Sequence, residues 1–164
     1  MLPAMRLERW VAPPGDAIPN HPRFAVLLDR AVGDASDGAS ACRALFARHG
    51  WAGSWVDGVF DFHHFHSTSH EVLGVVAGSA TLALGGPQGR TFDVEAGDVV
   101  VLPAGTGHRR ITARDGFQVV GAYPAGQEDY DLLREADEAA RERIAALPAP
   151  PDDPVGGDGV AAWK

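Results

Sequence analysis

Apolar residues occur in short runs separated by glycine, proline and acidic residues, and the period of these runs changes along the chain. Residues 5–11, MRLERWV, and 23–29, RFAVLLD, have strand length, and the proline-rich PPGDAIPNHP between them reads as a loop. GDASDGAS breaks the pattern and offers N-cap residues. In ASACRALFARHG, 39–50, the spacing becomes helical: Cys42, Leu45, Phe46 and His49 share one face, and Gly50 is placed to end the helix. From Val56 to Tyr123 short strands and turns dominate: VFDFHHFH, EVLGVVAG, ATLALG, RTFDVEA, DVVVLPA, HRRITA and FQVVGAYP, with GGPQGR as a tight turn. Short strands at this spacing predict an antiparallel sandwich or barrel. GQEDYDLLREADEAARERIAAL, 126–147, reads as a second helix, with acidic residues early, arginines late and an apolar stripe that includes Leu132, Leu133, Ala136, Ala140 and Ile144. The end, PAPPDDPVGGDGVAAWK, has the composition of a flexible tail, although Trp163 is an aromatic able to dock.

A length of 164 residues favours one domain over 1–164. Within it, 1–55 holds N-terminal strands and a helix, 56–123 the sheet-rich centre, 124–147 the second helix and 148–164 the tail. An apolar fraction of 45% is enough for a real core. The formal net charge of −8 and the lack of any basic run make nucleic acid and anionic membranes poor partners. Cys42 is the only cysteine, which rules out an intrachain disulfide and fits a reducing compartment. The first residues lack the apolar run of a signal peptide, and no stretch is apolar for long enough to span a bilayer. The expectation is a soluble, cytoplasmic protein.

Residues 63–71, HHFHSTSHE, place four of the chain's seven histidines beside a glutamate. On a strand, side chains alternate between faces. His64 and His66 then point one way with Phe60 and Phe62, while His63 and Phe65 point the other. STSH is long enough to turn the chain, and Glu71 opens the next run in phase with Leu73 and Val75, opposite His70. Two imidazoles and a carboxylate on one side suit a divalent first-row metal. His70 joins them only if a bulge resets its phase; otherwise it hydrogen-bonds nearby. Cys42 reads as a small core residue, His49 as a helix-end residue and His21 as a structural residue in a loop. Asp61 and Tyr123 have no assigned place.

The spacing resembles a known family. Gly58, five residues, His64-x-His66, four residues, Glu71, six residues and Gly78 resemble the first signature motif of the cupin superfamily. After eighteen residues, Gly97, five residues, Pro103-x-Gly105, two residues and His108 are similar to the second motif, except that Thr112 stands where that motif usually has asparagine. HHFHSTSHEVLGV, GDVVVLPAGTGHRR, VVGAYPAGQ and the tail look most like the YjlB-like cupins. The resemblance implies a mainly β fold, a single jelly-roll β-barrel with two flanking helices. It also adds His108 to His64, His66 and Glu71 as ligands of one divalent transition metal, with Fe(II) the first expectation and Mn, Ni, Co or Zn the others. Four protein ligands leave two positions open on an octahedral metal, which suits substrate or dioxygen binding. Arg110 and Thr112 share strand phase with His108. Arg110 either holds a substrate carboxylate or phosphate or is a solvated arginine near a strand end. Phe60, Phe62, Leu73 and Val75 are expected in the barrel core, next to the pocket; Phe62, Arg110 and Thr112 are the substrate-binding candidates.

Two functions follow as expectations. One is a metal-dependent enzyme on a small organic molecule, with dioxygenase-type oxidation first and isomerase or decarboxylase chemistry second. The other is a non-enzymatic cupin that binds or senses a metal or small ligand. A homodimer paired through sheet edges is expected from the resemblance.

Overall fold

The computed structural model describes residues 6–164. Met5, placed at the start of the first predicted strand, lies outside the described residues. Seven strands form one antiparallel sheet: β1 (Arg6–Trp10), β2 (Val26–Arg30), β3 (Trp51–Asp57), β4 (Glu71–Leu84), β5 (Arg90–Glu95), β6 (Val99–Leu102) and β7 (His108–Pro124). Hydrogen-bonded neighbours run β1-β2-β6-β4-β7-β3, and β5 pairs with β4. The helices are α1 (Gly33–Ser36), α2 (Ala39–Arg48) and α3 (Glu138–Ala146), with a final 3₁₀ turn at Val160–Trp163. This is the expected mainly β architecture, consistent with a jelly-roll barrel. Among the described residues, no helix is long and apolar enough to cross a membrane.

The barrel is organised by β4 and β7, which pair along most of their lengths from Val72↔Ala122 to Leu84↔His108. EVLGVVAG and ATLALG are therefore one strand, as are HRRITA and FQVVGAYP. Register shifts between Val75 and Ala77, Ala77 and Ser79, and Thr81 and Leu82 bend the pair. Near its start β4 lies between β6 and β7, so Glu71 to Val75 are buried on both faces.

Alternation divides the apolar residues into two cores. Leu73, Val75, Val100, Leu102 and Val119 fill the barrel interior with Leu28 and Leu82. Val72, Val99, Val101, Val120 and Ala122 face outward, against Cys42 and Phe46 of α2 and against Trp51, Phe24 and Trp163. α2 approaches closely because residue 74 is glycine: a Cβ there would meet Cys42 Sγ at 2.5 Å. Cys42 is a core residue as expected, and burial pushes its thiol up to about 12. A smaller cluster joins Ile18, Phe65, Ala104 and Ile144.

Three local expectations change. VFDFHHFH is not a strand; residues 58–70 form an irregular segment whose bridges are His64↔His108 and Phe65↔Leu133, and the strand lies just before it, at β3. The second helix covers Glu138–Ala146 rather than 126–147, capped by Asp137, which accepts from the Ala140 N–H at 2.8 Å. Residues 126–137 take tertiary partners instead: Leu133 exchanges both backbone hydrogen bonds with Phe65 at 2.9 Å. The tail is docked on the barrel through specific contacts. The Asp153 carboxylate accepts from the N–H groups of Val155, Gly157 and Val160, and the Trp163 indole stacks on Phe24 and donates to the Ala25 carbonyl at 3.0 Å.

Candidate metal centre

The irregular segment 58–70 is held across the start of β7. His64 and His108 exchange backbone hydrogen bonds, Arg110 N–H donates to the Phe60 carbonyl at 2.9 Å, and Gly105 N–H donates to the His66 carbonyl at 2.8 Å. These ties place His64 and His66 beside His108 at the start of β7, which pairs with Leu84 at the end of β4; Glu71, at the other end of β4, reaches them through its side chain. One nitrogen from each of His64, His66 and His108 lies within 4.8 Å of the other two, and all three residues are buried. Glu71 Oε1 lies 3.1 Å from His108 Nε2 and 3.5 Å from His66 Nε2. Three of the four residues singled out as ligands, His64, His66 and His108, therefore gather at one point, with Glu71 beside His66 and His108, although the strand assumed for two of them is absent.

Proton positions follow from the outer hydrogen bonds. His64 Nδ1 faces the Phe62 carbonyl at 2.9 Å, His108 Nδ1 faces the Thr106 carbonyl at 3.0 Å, and His66 Nδ1 faces the Asp131 carbonyl. A carbonyl only accepts, so each Nδ1 carries the proton and, in the neutral ring, each Nε2 offers a lone pair. Backbone carbonyls behind metal-binding imidazoles hold the rings this way. Glu71 Oε1 is buried and has no hydrogen-bond donor. Lone pairs and an orphaned carboxylate oxygen facing one another are the donor set a divalent cation requires. Three buried histidines can thus bind a metal.

Electrostatics agree with this reading. Burial pushes the His64 imidazole down to about 3, with His108 adding to the shift, so it is neutral at ordinary pH. Burial also disfavours charge on His66, but Glu71 outweighs it and raises His66 above the usual imidazole value. Glu71 resists its own burial because His66 and His108 hold it well below the carboxylate range.

The cluster opens on a cavity of about 620 Å³, within the range that takes a small organic ligand. Arg110 is on its wall, as is Phe60, which is 54% exposed at the rim rather than in the core. Phe62 is half-buried behind His64, ring edge to ring, under the Arg134 guanidinium. Thr112 is exposed, pairs with Thr81 and accepts from Arg114 at 3.3 Å, so it is not on the wall.

Sequence reasoning missed Trp55, Tyr123, Tyr130 and Leu132 on this wall. Trp55 Nε1–H donates to the Tyr123 hydroxyl at 2.7 Å, and Tyr123 stacks on Tyr130 at 4.2 Å between ring centres. The indole lies flat on β7 because residue 121 is glycine; a Cβ there would meet Trp55 Cζ2 at 2.2 Å. Tyr130 and Leu132 belong to the segment read as helix. Asp131 between them, also missed, accepts from the Ser67 N–H at 2.6 Å and from the Ser67 hydroxyl, while its own N–H donates to Thr68 Oγ1 at 3.0 Å. The only signal for Tyr130, Asp131 and Leu132 was an aromatic among acidic side chains just after the last strand, and Trp55 and Tyr123 gave none.

The other histidines stay apart. His70 is fully buried; its Nδ1 accepts from the Ala104 N–H at 2.9 Å and its Nε2–H donates to the Pro148 carbonyl at 2.9 Å. His21 accepts from the N–H groups of Arg23 and Phe24 and stacks on Phe24. His49 caps α2, and His63 is half-buried, away from the cluster.

Comparison with known proteins places this geometry in a family. The cupin domain model matches residues 55–120. Protein YjlB of Bacillus subtilis (strain 168) is 38% identical over 155 residues, covering 92% of this chain and 90% of the relative. Among solved structures, acireductone dioxygenase from Bacillus anthracis with a cadmium ion in its active centre matches with 25% identity and a TM-score of 0.39, over 54% of this chain and 60% of that one. A DUF861 family protein from Thermotoga maritima matches with 21% identity and a TM-score of 0.34, over 46% of this chain and 77% of that one. With both signature motifs in place and a relative this similar over nearly its whole length, the chain belongs to the cupins and, within them, to the YjlB-like family.

Proposed function

We propose that this protein is a metal-dependent enzyme acting on a small organic molecule, with His64, His66, Glu71 and His108 holding one divalent transition metal, Fe(II) in the first instance and Mn, Ni, Co or Zn otherwise. The observation that carries the reading is the gathering of three buried imidazoles, each with Nδ1 turned to a backbone carbonyl, with Glu71 Oε1 beside the Nε2 atoms of His66 and His108. When bound, such a metal supplies Lewis-acid activation of a substrate oxygen and, as Fe(II), redox chemistry with dioxygen.

The chain's own residues support oxidation ahead of isomerase or decarboxylase chemistry. Among the described residues, the cavity wall carries one carboxylate besides Glu71, the exposed Asp57, and no imidazole beyond the three. Isomerisation needs a placed base, and none is held here. The Tyr123 oxygen accepts from Trp55, which leaves the phenol proton to donate on the side where Glu71 and Tyr130 lie. Burial, reinforced by Glu71, raises Tyr123 far above the usual phenol value, so it stays a donor.

Metal analysis of untagged protein, followed by oxygen uptake by the Fe(II) form with a panel of diketones, thiols and phenolic acids, tests this. The expected result is about one metal per chain and uptake with one class. Protein that takes up none of the five metals overturns the site, and a loaded protein without turnover leaves a binding or sensing cupin. Two further readings belong to this proposal. A homodimer is supported by β1 and β3, which among the described residues end the strand order with unpaired edges, and is checked by sedimentation. A cytoplasmic location is supported by the single buried thiol, Cys42, and is checked by fractionation.

A further inference from the structure

The cavity shared with the proposed metal site has an uneven chemistry. Arg110 is its one cationic side chain among the described residues. The guanidinium is partly held: Nε–H donates to the Val59 carbonyl at 3.2 Å, and the nearest carboxylate, Asp61, is 4.0 Å away and itself 73% exposed. Among the described residues, the outer N–H groups of the fork thus have only this long, exposed ion pair with Asp61 and no hydrogen-bonded carboxylate. Much of the wall is apolar or aromatic, with Leu73, Phe117 and Leu132 beside Trp55 and the stacked Tyr123–Tyr130 pair. Trp55 and Tyr123 are fixed by their mutual hydrogen bond, and Trp55 also by its contact with Gly121, so they present preformed faces.

We propose that the ligand of this cavity is a small organic acid with an aromatic or branched apolar body, its carboxylate on the Arg110 fork and its body on Trp55, Phe117 and Leu132. One guanidinium suits a monoanionic carboxylate, which it meets with two parallel hydrogen bonds. A phosphate dianion needs more donors than one fork provides, and no lysine or helix N-terminus lies on this wall. The apolar wall disfavours a sugar or a polyol, whose hydroxyls would be left without partners. As a statement of substrate class this rests on the metal-dependent reading, but the acid subsite itself is independent of metal.

The test is calorimetric titration of the full chain, metal-free and metal-loaded, with 3-phenylpropionate, its neutral amide and propionate. The acid is expected to bind the metal-free protein at least about 10-fold more tightly than the amide, the scale of a charge-assisted hydrogen bond, with propionate weaker still for lack of a body. Arg110→Gln is expected to remove the acid's advantage while leaving metal content unchanged. Equal binding of acid and amide, or binding of neither, overturns the proposal even if the variant fails to fold. Metal-free protein that binds the acid but takes up no metal would overturn the metal reading and leave the acid subsite standing.

Discussion

His66 and His70 are four residues apart, both buried, and do opposite things with their ring nitrogens. His66 gives its Nδ1–H to the Asp131 carbonyl and turns Nε2 toward Glu71. His70 receives a backbone N–H at Nδ1 and gives its Nε2–H to the Pro148 carbonyl. The first tautomer leaves a lone pair aimed into a cavity; the second uses both nitrogens on the backbone. His64 and His108 follow His66, and His21, accepting at Nδ1, follows His70. Burial therefore does not mark a ligand histidine. What marks it is which nitrogen the backbone occupies.

Exchanging each histidine for alanine breaks the comparison most sharply. His66→Ala should reduce metal content from about one per chain to near none, with little loss of fold. His70→Ala should keep the metal and cost about 3 kcal/mol of stability, because it opens a cavity and strips partners from Ala104 and Pro148. Metal analysis and thermal unfolding read the two effects separately. Equal metal loss in both variants would contradict the tautomer argument. The pH dependence sharpens the same point. Since Glu71 raises His66 above the usual imidazole value, metal competes with a proton there, and affinity should fall and proton release grow as pH drops. Calorimetry in buffers of different ionisation enthalpy measures that proton.

A second contrast concerns acids. Glu71 and Asp29 are equally buried, and each has an oxygen without a partner. Glu71 faces imidazoles and stays ionised; burial pushes Asp29 up to about 7, with Asp153 adding to the shift and Arg9 offsetting part of it. An orphaned carboxylate alone is thus no metal site. Because the folded value of Asp29 lies above the unfolded one of about 3.9, its penalty is absent below pH ~4, grows as pH rises toward about 7, and is complete above that. Asp29→Asn should therefore stabilise the protein by on the order of 2 kcal/mol above about pH 7 and by little at pH ~4, with metal content unchanged. Unfolding curves across that range check it; a gain that does not vary with pH would assign the effect to packing instead.

Both the barrel and the candidate metal site were legible in the sequence, but for different reasons, and His108 was added to the site only by the family resemblance. Short apolar runs with alternation report sheets directly, and alternation also separated His64, His66 and Glu71 from His63 and His70. It did so although residues 58–70 are not a strand, because two bridges, at His64 and Phe65, are enough to keep the faces in order. The extent of the second helix was misread because charge order and apolar spacing are local, whereas Asp131 and Leu133 are held by Ser67 and Phe65, far away in sequence, and Tyr130 stacks back on Tyr123. Composition likewise failed for the tail, where one carboxylate, Asp153, gathers three N–H groups and Trp163 completes the outer core. Contacts of this kind leave no period to read.

The strap from Gly126 to Asp137 thus belongs to the His66 side of the comparison, and the smallest predicted effect measures how much. The Asp131 carbonyl sets the His66 tautomer, but that carbonyl survives any side-chain change. What a substitution removes is the carboxylate, which accepts from the Ser67 N–H and hydroxyl and lies 3.9 Å from Arg143. Thr68 still accepts from the Asp131 N–H, and Leu133 still pairs with Phe65, so the strap stays in place with more freedom at one point. Asp131→Ala should therefore weaken metal binding about 10-fold, the low end for a group one step behind a ligand, while His64 and His108 keep their own carbonyls. Asp131→Asn, which can still accept at one oxygen, should recover part of the loss. Competition against a chelator gives the affinities, and the visible spectrum of the Co(II) form shows whether ligand geometry has shifted. An unchanged affinity in Asp131→Ala would mean that the backbone pairing at Leu133 is enough to hold the His66 ring.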